Sequence, residues 1–468
     1  MKSSRSKRNN YKNQPEVFYQ TSPDRFHMKD SDGNFRDYRK GPASARLGYE
    51  YGMSKEKREE FFAYIYKNRV IDCVSEIGGK KMGLHLLGGK KVLVPREQRR
   101  IEPKKGDWST LKKYFLGMLG DDQFEWYQGW LKTWLDGYYN YQNTVGQVLI
   151  AIGETSSGKT LLKEIHNHIF DGGGQPLKYM TGATNFNGEL CASCSWYIDD
   201  KLNDLGSRGK KKLKAECKEM AVAGELRFEF KNQTAFTASP CVRLLICCNY
   251  TEDSVSVIPD IDESTKNKIS ILHCMRKPMP MPAKTASQRE AFMTQLKSEI
   301  PAFVHHLLNT HVISEDLADN EEERMGVRGY HNSHAMSFVD SYSNDGGRLL
   351  TIIDCLREYS DSDEDFWRGN SSTLLKFLRG HDTERMATAT SLGRFLNQRI
   401  SNGSSLVKKI AHREYEIDLR SNTSPGIYEN ESVDEVHGSS VRTPEAIVNL
   451  SQTDLDFDDD APYGHHIA

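Results

Sequence analysis

The sequence predicts an α/β fold. A phosphate-loop core on a parallel-type sheet is preceded by a small α+β region and a helical region, and followed by a winged-helix-like domain. Three observations predict it. The apolar run QVLIAI leads into the glycine-rich loop Gly153-Glu154-Thr155-Ser156-Ser157-Gly158-Lys159-Thr160, and the amphipathic segment KTLLKEIHNHIF follows. Three further apolar runs, SWYIDD, RLLICCN and KISILHC, alternate with helical patterns between 145 and 275, as the buried strands of a parallel sheet do. Finally, three helical patterns (GRLLTIIDCLREYS, SSTLLKFLRGH, TSLGRFLNQRI) precede a short β pair, LVKKIA and EYEIDL.

The elements divide the 468 residues as follows. Residues 1–15 are a polar, basic tail (MKSSRSKRNN…) expected to be disordered, either simply solvated, an arm for nucleic acid or a nuclear address. Residues 16–107 alternate short β-like runs (VFYQ, FHMK, KKVLVP) with glycine and charged turns around the helical stretch KEKREEFFAYIYKN, a small α+β domain. Gly106–Asp107 marks its boundary. Residues 108–143 read as helices, with Trp126, Trp130 and Trp134 recurring on one face. That face is either a packing seam or a platform for stacking bases. The core runs over 144–283, ending in the proline-broken MRKPMPMPAK. Residues 284–345 are a helix and polar connector, 346–420 the winged-helix-like domain, which either binds nucleic acid or lids the core, and 421–468 an acidic tail expected to be disordered.

Charge and composition narrow the class. From Ser421 onward there are ten acids and one base, a charge of −9, so the other 420 residues carry +7 within the net charge of −2. A mildly basic body suits a polyanionic partner. No run of 18 apolar residues exists and no apolar stretch follows the basic N-terminus, so neither a transmembrane helix nor a secretory signal is expected, and an intracellular setting is. The nine cysteines are odd in number and sit in apolar runs, which suits a reducing compartment. Cys191 and Cys194 form a lone C-x-x-C without a second pair at metal-ligand spacing, so zinc is not expected.

The glycine-rich loop matches G-x-x-x-x-G-K-[ST] between strand and helix. Glycines let backbone N–H groups wrap phosphates, and the helix N-terminus adds positive potential. Lys159 reaches the β- and γ-phosphates of ATP, and Thr160 offers its hydroxyl to Mg²⁺. About 40 residues on, the strand of Trp196-Tyr197-Ile198 ends in Asp199-Asp200, two carboxylates at the sheet's C-terminal edge. Asp199 is expected to hold the Mg²⁺ shell and Asp200 to orient the attacking water. The strand Arg243–Cys248 ends in Asn249, whose neutral amide is placed to touch that water or the γ-phosphate, or else simply starts a turn.

This order of loop, double acid, basic hairpin and strand-plus-Asn resembles the superfamily-three helicases, hexameric ATPases of viruses, phages and plasmids with an AAA+ type of core. It is closest to the helicase half of phage and large-DNA-virus primase-helicases, over roughly residues 85–300. The resemblance implies an ATP-dependent replicative DNA helicase moving on single-stranded or forked DNA as a homo-hexamer, in host cytoplasm or nucleus. It implies that the interval LKAECKEMAVAGELRFEFKNQTAFTASP carries a basic hairpin toward the channel, with Arg227 and Lys231 as DNA contacts. It also implies a cation supplied across the subunit interface before the last core strand. That place reads Glu263-Ser264-Thr265-Lys266-Asn267-Lys268-Ile269, with Lys268 or Lys266 instead of arginine, and Arg276 as a later candidate. No primase signature is visible in the first 107 residues. The tail's DLDFDDDAPY resembles the acidic tip of bacterial single-stranded-DNA-binding proteins; it either recruits a primase, polymerase or other replication protein or only solubilises. Two other readings fit the same motifs: an AAA+ packaging or initiator-loading ATPase, and a nucleotide-bound scaffold that does not hydrolyse.

Overall fold

The computed structural model describes residues 15–199, 205–231, 233–255, 257–259, 261–319, 325–342, 344–359, 365–380, 388–401 and 406–420. The expected tails, except for Pro15, and Asp200 lie outside the described residues.

The chain opens with β1 (Val17–Gln20), β2 (Arg25–Lys29), β3 (Phe35–Tyr38), α1 (Lys40–Tyr51), α2 (Lys55–Asn68) and β4 (Val70–Ile71). They form a sheet of order β3-β2-β1-β4, antiparallel except for β4 against β1. Period-two alternation splits this sheet's faces. Val17, Phe26 and Met28 bury against Leu47, Phe61, Phe62 and Ile65 of the two helices. Phe18 and Phe35, on the other face, pack with Ile71 and Leu93.

Leu93 belongs to a second small sheet, β5 (Cys73–Val74), β6 (Gly83–Leu87) and β7 (Lys90–Val94), of order β5-β7-β6. Cys73, Val92 and Val94 lie in the same apolar cluster as one face of the central sheet. Residues 16–107 therefore hold two sheets. The second has no core of its own, because its strands are too short to bury a face except against a larger neighbour.

α3 (Ser109–Tyr139) follows. Its helical path breaks at Gly120, at φ 73° and ψ 175°, a backbone state open to glycine. The break meets the edge of the central sheet: the Met118 carbonyl accepts from Met275 N at 2.8 Å. The Gln123 side chain pairs with His273 N at 2.8 Å and the His273 carbonyl at 3.0 Å, in place of a further strand. Trp126, Trp130 and Trp134 are each no more than 1% exposed. Each indole N–H finds a backbone carbonyl: Arg328, Gln147 and Cys241 respectively. The tryptophan face is a packing seam.

The central layer contains β8 (Val148–Gly153), α4 (Lys159–Ile169), β9 (Gly173–Gly174), α5 (Leu177–Met180), β10 (Ser195–Ile198), α6 (Ser207–Met220), β11 (Leu226–Phe228), β12 (Phe236–Ala238), β13 (Arg243–Cys248), α7 (Glu252–Val255) and β14 (Ile269–Cys274). β11 and β12 make an antiparallel hairpin. The other five strands form one all-parallel sheet of order β14-β8-β13-β10-β9. Leu149, Ala151, Leu245, Cys247 and Leu272 face α3, α4 and α8 (Ala286–Asn309). Ile150, Ile152, Ile198, Ile246 and Ile271 face α6, the hairpin and β7. Burial on both sides explains why these strands read as continuous apolar runs. Cys194 packs in the first layer and Cys191 in the second, so the C-x-x-C serves both cores.

Thr285 starts α8 with a reciprocal capping box to Gln288. α9 (Ser333–Tyr342), α10 (Asn344–Tyr359), β15 (Phe366–Asn370), α11 (Ser371–Gly380), α12 (Ala389–Ser401), β16 (Val407–Ala411) and β17 (Glu414–Asp418) complete the described chain. α10, α11 and α12 share an apolar cluster with Val407, Tyr415 and Ile417. The sheet order is β15-β17-β16. β15, whose sequence FWRGN has no apolar alternation, adds a third strand to the expected hairpin.

His166 of α4 has one consequence for pH. It is fully buried, with Nε2 2.7 Å from the Tyr127 hydroxyl, and desolvation pushes its imidazole from 6.5 down to about 3. The folded state keeps this ring neutral while the unfolded chain protonates it, so stability falls as pH drops below about 6.5 and continues to fall toward about 3. The expected slope from this group is about 1.4 kcal/mol per pH unit. Guanidinium unfolding followed by tryptophan fluorescence between pH 5 and pH 8 should show it in the wild type, and a flatter profile in His166→Leu. Equal slopes in the two proteins would refute the assignment.

Candidate functional site

In a parallel sheet every strand points its C-terminal end to the same edge. β8 ends there in Gly153, β13 leads there to Asn249 and β10 to Asp199. The pairings Cys248 with Ile152 and Ile198 with Ile246 set the registers. They place Asn249 beside Gly153, and Asp199 beside Cys247. β13 thus stands between the loop strand and the acid strand, so Asn249 lies between them along the sheet edge.

The loop is shaped by contacts that the sequence motif does not reveal. Ser156 (φ 66°) and Gly158 (φ 101°) both take the left-handed conformation, which turns successive N–H groups inward. A Cβ at Gly153 would collide with the Cys274 carbonyl of β14, so only glycine lets the strands stay paired there. The Tyr114 hydroxyl of α3 donates to the Gly158 carbonyl at 2.9 Å, tying the start of α4 to the helical layer.

Lys159 is 8% exposed, and its Nζ donates to the Gly153 and Glu154 carbonyls at 2.8 Å each and to Ser157 Oγ at 3.1 Å. The ammonium is thereby held inside the curve of the loop, where phosphate oxygens would meet it. Burial pushes the Cys247 and Cys274 thiols upward, and the positive charge of Lys159 opposes this at both. These two thiols are therefore neutral, apolar walls beneath the lysine.

Thr160 is exposed in the first turn of α4. Asp199 is 43% exposed and pairs with Lys163 Nζ at 3.5 Å. A threonine hydroxyl and a carboxylate are hard oxygen donors, the set that Mg²⁺ takes. Lys163 escaped the sequence reading. It lies one turn after Lys159, on the same helix face, and its Nζ also sits 4.7 Å over the Tyr197 ring. That i, i+4 spacing was the available signal.

Other expected residues stand elsewhere. Lys268 immediately precedes β14, and its carbonyl accepts from Val148 N at 2.9 Å. It is therefore at the opposite sheet edge, about 20 Å from the loop along a six-residue strand. Lys266 pairs with Glu263 at 2.7 Å. Arg276, two residues past β14, stands at the loop edge. Arg227 lies on β11, exposed and paired with Glu229 at 2.9 Å, and Lys231 is exposed in the turn beyond it. Gly224, just before β11, accepts from Asn143, which precedes β8. The hairpin base thus stands near the edge remote from the loop.

No protein-family model matches the chain, and no curated protein matches it in sequence. Solved structures match its fold. The apo structure of the NrS-1 C-terminal region (305–718) aligns with a TM-score of 0.53 at 14% identity, covering 86% of this chain and 95% of that one. The A-form apo structure of the same region aligns with a TM-score of 0.51 at 14% identity, covering 86% and 96%. A structure described as "SCCmec type IV Cch - active helicase" aligns over 86% of this chain and 93% of that one at 8% identity, with a TM-score of 0.36. The likeness to the NrS-1 region is one of fold. Among the described residues no helix is long and apolar enough to cross a membrane.

Proposed function

We propose that this chain is an ATP-hydrolysing motor of the AAA+ type that acts as a helicase on single-stranded or forked DNA. The observation that carries the reading is the convergence of Lys159, Asp199 and Asn249 at one edge of an all-parallel sheet, around a loop that already encloses the lysine. Phosphoryl transfer needs chiefly positioning and charge compensation, and this edge supplies both.

Residues 153–160 cradle the phosphates, and Lys159 compensates the charge on the β- and γ-phosphates. Thr160 and Asp199 hold magnesium, which neutralises charge developing on the phosphate oxygens. Asp200 orients the attacking water, and Asn249 contacts that water or the γ-phosphate. Lys268, at the sheet edge opposite its own loop, serves the loop of the next subunit of a homo-hexamer. Arg227 and Lys231 contact the DNA backbone. The order helix, strand, two helices, hairpin over 344–418 supports a winged-helix-like domain after the core of residues 144–283. The acidic residues 421–468 recruit a replication protein, and the setting is a viral, phage or mobile-element replication site in a host cell.

Unwinding of a forked duplex with either strand labelled tests this. ATP- and Mg²⁺-dependent strand release is expected from the wild type. ATPase activity stimulated by single-stranded DNA without strand release would favour a packaging or loading ATPase. No turnover with DNA and Mg²⁺ present would favour a nucleotide-bound scaffold.

A further inference from the structure

Tyr250 follows Asn249, and its side chain crosses the base of the phosphate loop. β8, the strand that leads into the loop, stands between β13 and β14. Cys248 pairs with Ile152 from one side and His273 pairs with Ile152 from the other. The Tyr250 hydroxyl and His273 Nδ1 are joined by a hydrogen bond, with ring centroids 5.7 Å apart. This bond ties the end of β13 to β14 across the loop strand, next to Gly153.

Alternation along β14 sends His273 to the face of Ile269 and Ile271, the face that α9 covers. α9 enters from that same strand. Ile271 N donates to the Tyr330 carbonyl at 2.7 Å, and Asn332 N donates to the Ile271 carbonyl at 2.9 Å. His331 Nε2 lies 2.8 Å from the Ile269 carbonyl. Asn332 Oδ1 then accepts from Ala335 N at 3.1 Å, which starts the helix. With its entry fixed, α9 sets two rings one turn apart against the pair. His334 meets His273 edge-on at 4.6 Å, and Phe338 meets Tyr250 edge-on at 4.6 Å. His334 also lies edge-on to Tyr250 at 5.7 Å.

Burial, and after it the charge of His334, pushes the His273 imidazole down to about 4. Burial, and after it the neighbouring Cys274 and Glu154, pushes the Tyr250 phenol up. Both partners are therefore neutral at pH 7, and their bond depends on geometry.

An amide that meets a reacting water or phosphate is useful only when held close to one position. Asn249 lies just past the last ladder pairing of β13, so the strand register alone does not hold it. We propose that Tyr250 is a positioning residue: bridged to His273 and clamped by α9, it holds the Asn249 amide at the loop. The inference rests on the role given to Asn249 above and adds the group that keeps it in place.

The test is steady-state ATP hydrolysis by the full chain with Mg²⁺ and single-stranded DNA. Tyr250→Phe keeps the ring between His334 and Phe338 and removes only the hydroxyl. Its kcat should fall about tenfold with KM for ATP within about twofold of wild type, because the groups that bind the phosphates are untouched. The melting temperature should be unchanged. His273→Asn retains an amide donor and acceptor near the place of Nδ1 and should keep kcat within about threefold of wild type, whereas His273→Leu should match Tyr250→Phe. Because Tyr250 acts through Asn249, Tyr250→Phe added to Asn249→Ala should lower kcat no further than Asn249→Ala alone. Losses that multiply in the double variant would overturn the proposal. So would a Tyr250→Phe kcat within about twofold of wild type, with the motor reading left intact. A lowered melting temperature with kcat and KM both impaired would also overturn it, because the bridge would then serve stability alone. A wild type that turns over no ATP would remove the motor reading, and this inference with it.

Discussion

Lys159→Ala is expected to lower ATP turnover on the order of 10²- to 10³-fold, the usual cost of removing one positioned charge from a transition state. The structure says why the loss should fall on chemistry. Three ligands from the loop itself hold Nζ, so its position is set before nucleotide arrives. Removing it would leave the γ-phosphate facing backbone N–H groups without the cation that the loop itself supplies. Lys159→Arg should not rescue, because the side chain is enclosed by the loop and by the buried Cys247 and Cys274 beneath it, and a guanidinium is too wide for that space. Phosphate release with and without single-stranded DNA measures the effect. Turnover within twofold of wild type would refute the site assignment.

Trp134→Ala is expected to destabilise the protein by about 3–5 kcal/mol, the range for truncating a buried aromatic. Trp134 stacks on Phe170 with ring centroids 3.8 Å apart and meets Trp130 edge-on at 5.4 Å. Its indole N–H reaches the Cys241 carbonyl at 3.4 Å. One side chain thus ties α3 to the end of α4 and to the segment entering β13. The cavity left behind would open where the loop helix is anchored. Thermal unfolding should drop on the order of 10 °C. At low temperature, where the variant is still folded, its affinity for single-stranded DNA should match the wild type, because the ring is 1% exposed and out of reach of any base. A loss of DNA affinity with unchanged stability would reverse the packing assignment.

The site was legible in the sequence wherever its chemistry is local. The loop needs its glycines, lysine and threonine within eight residues, so Gly153–Thr160 announces itself. The strands ending at Asp199 and Asn249 were visible because burial on both faces leaves unbroken apolar runs. The second sheet, β5–β7, was not visible as part of the core. The short apolar run in KKVLVP suits any buried strand and does not say which layers cover it; Val92 and Val94 face one cluster and Leu93 another. β15 was missed because FWRGN has neither alternation nor β-branched residues; pairing with β17 alone makes it a strand.

By itself, the sequence determined the residue types that can bind phosphate, the order of the strands that carry them, and the helical periodicity of Trp126, Trp130 and Trp134. Those properties depend on neighbours a few positions apart. Only the tertiary structure decided that β13 lies between the loop strand and the acid strand, that Lys163 meets Asp199, and that Lys268 stands at the far edge from its own loop. Each of these follows from sheet register and layer packing, which join residues far apart in the chain through contacts that no local pattern encodes.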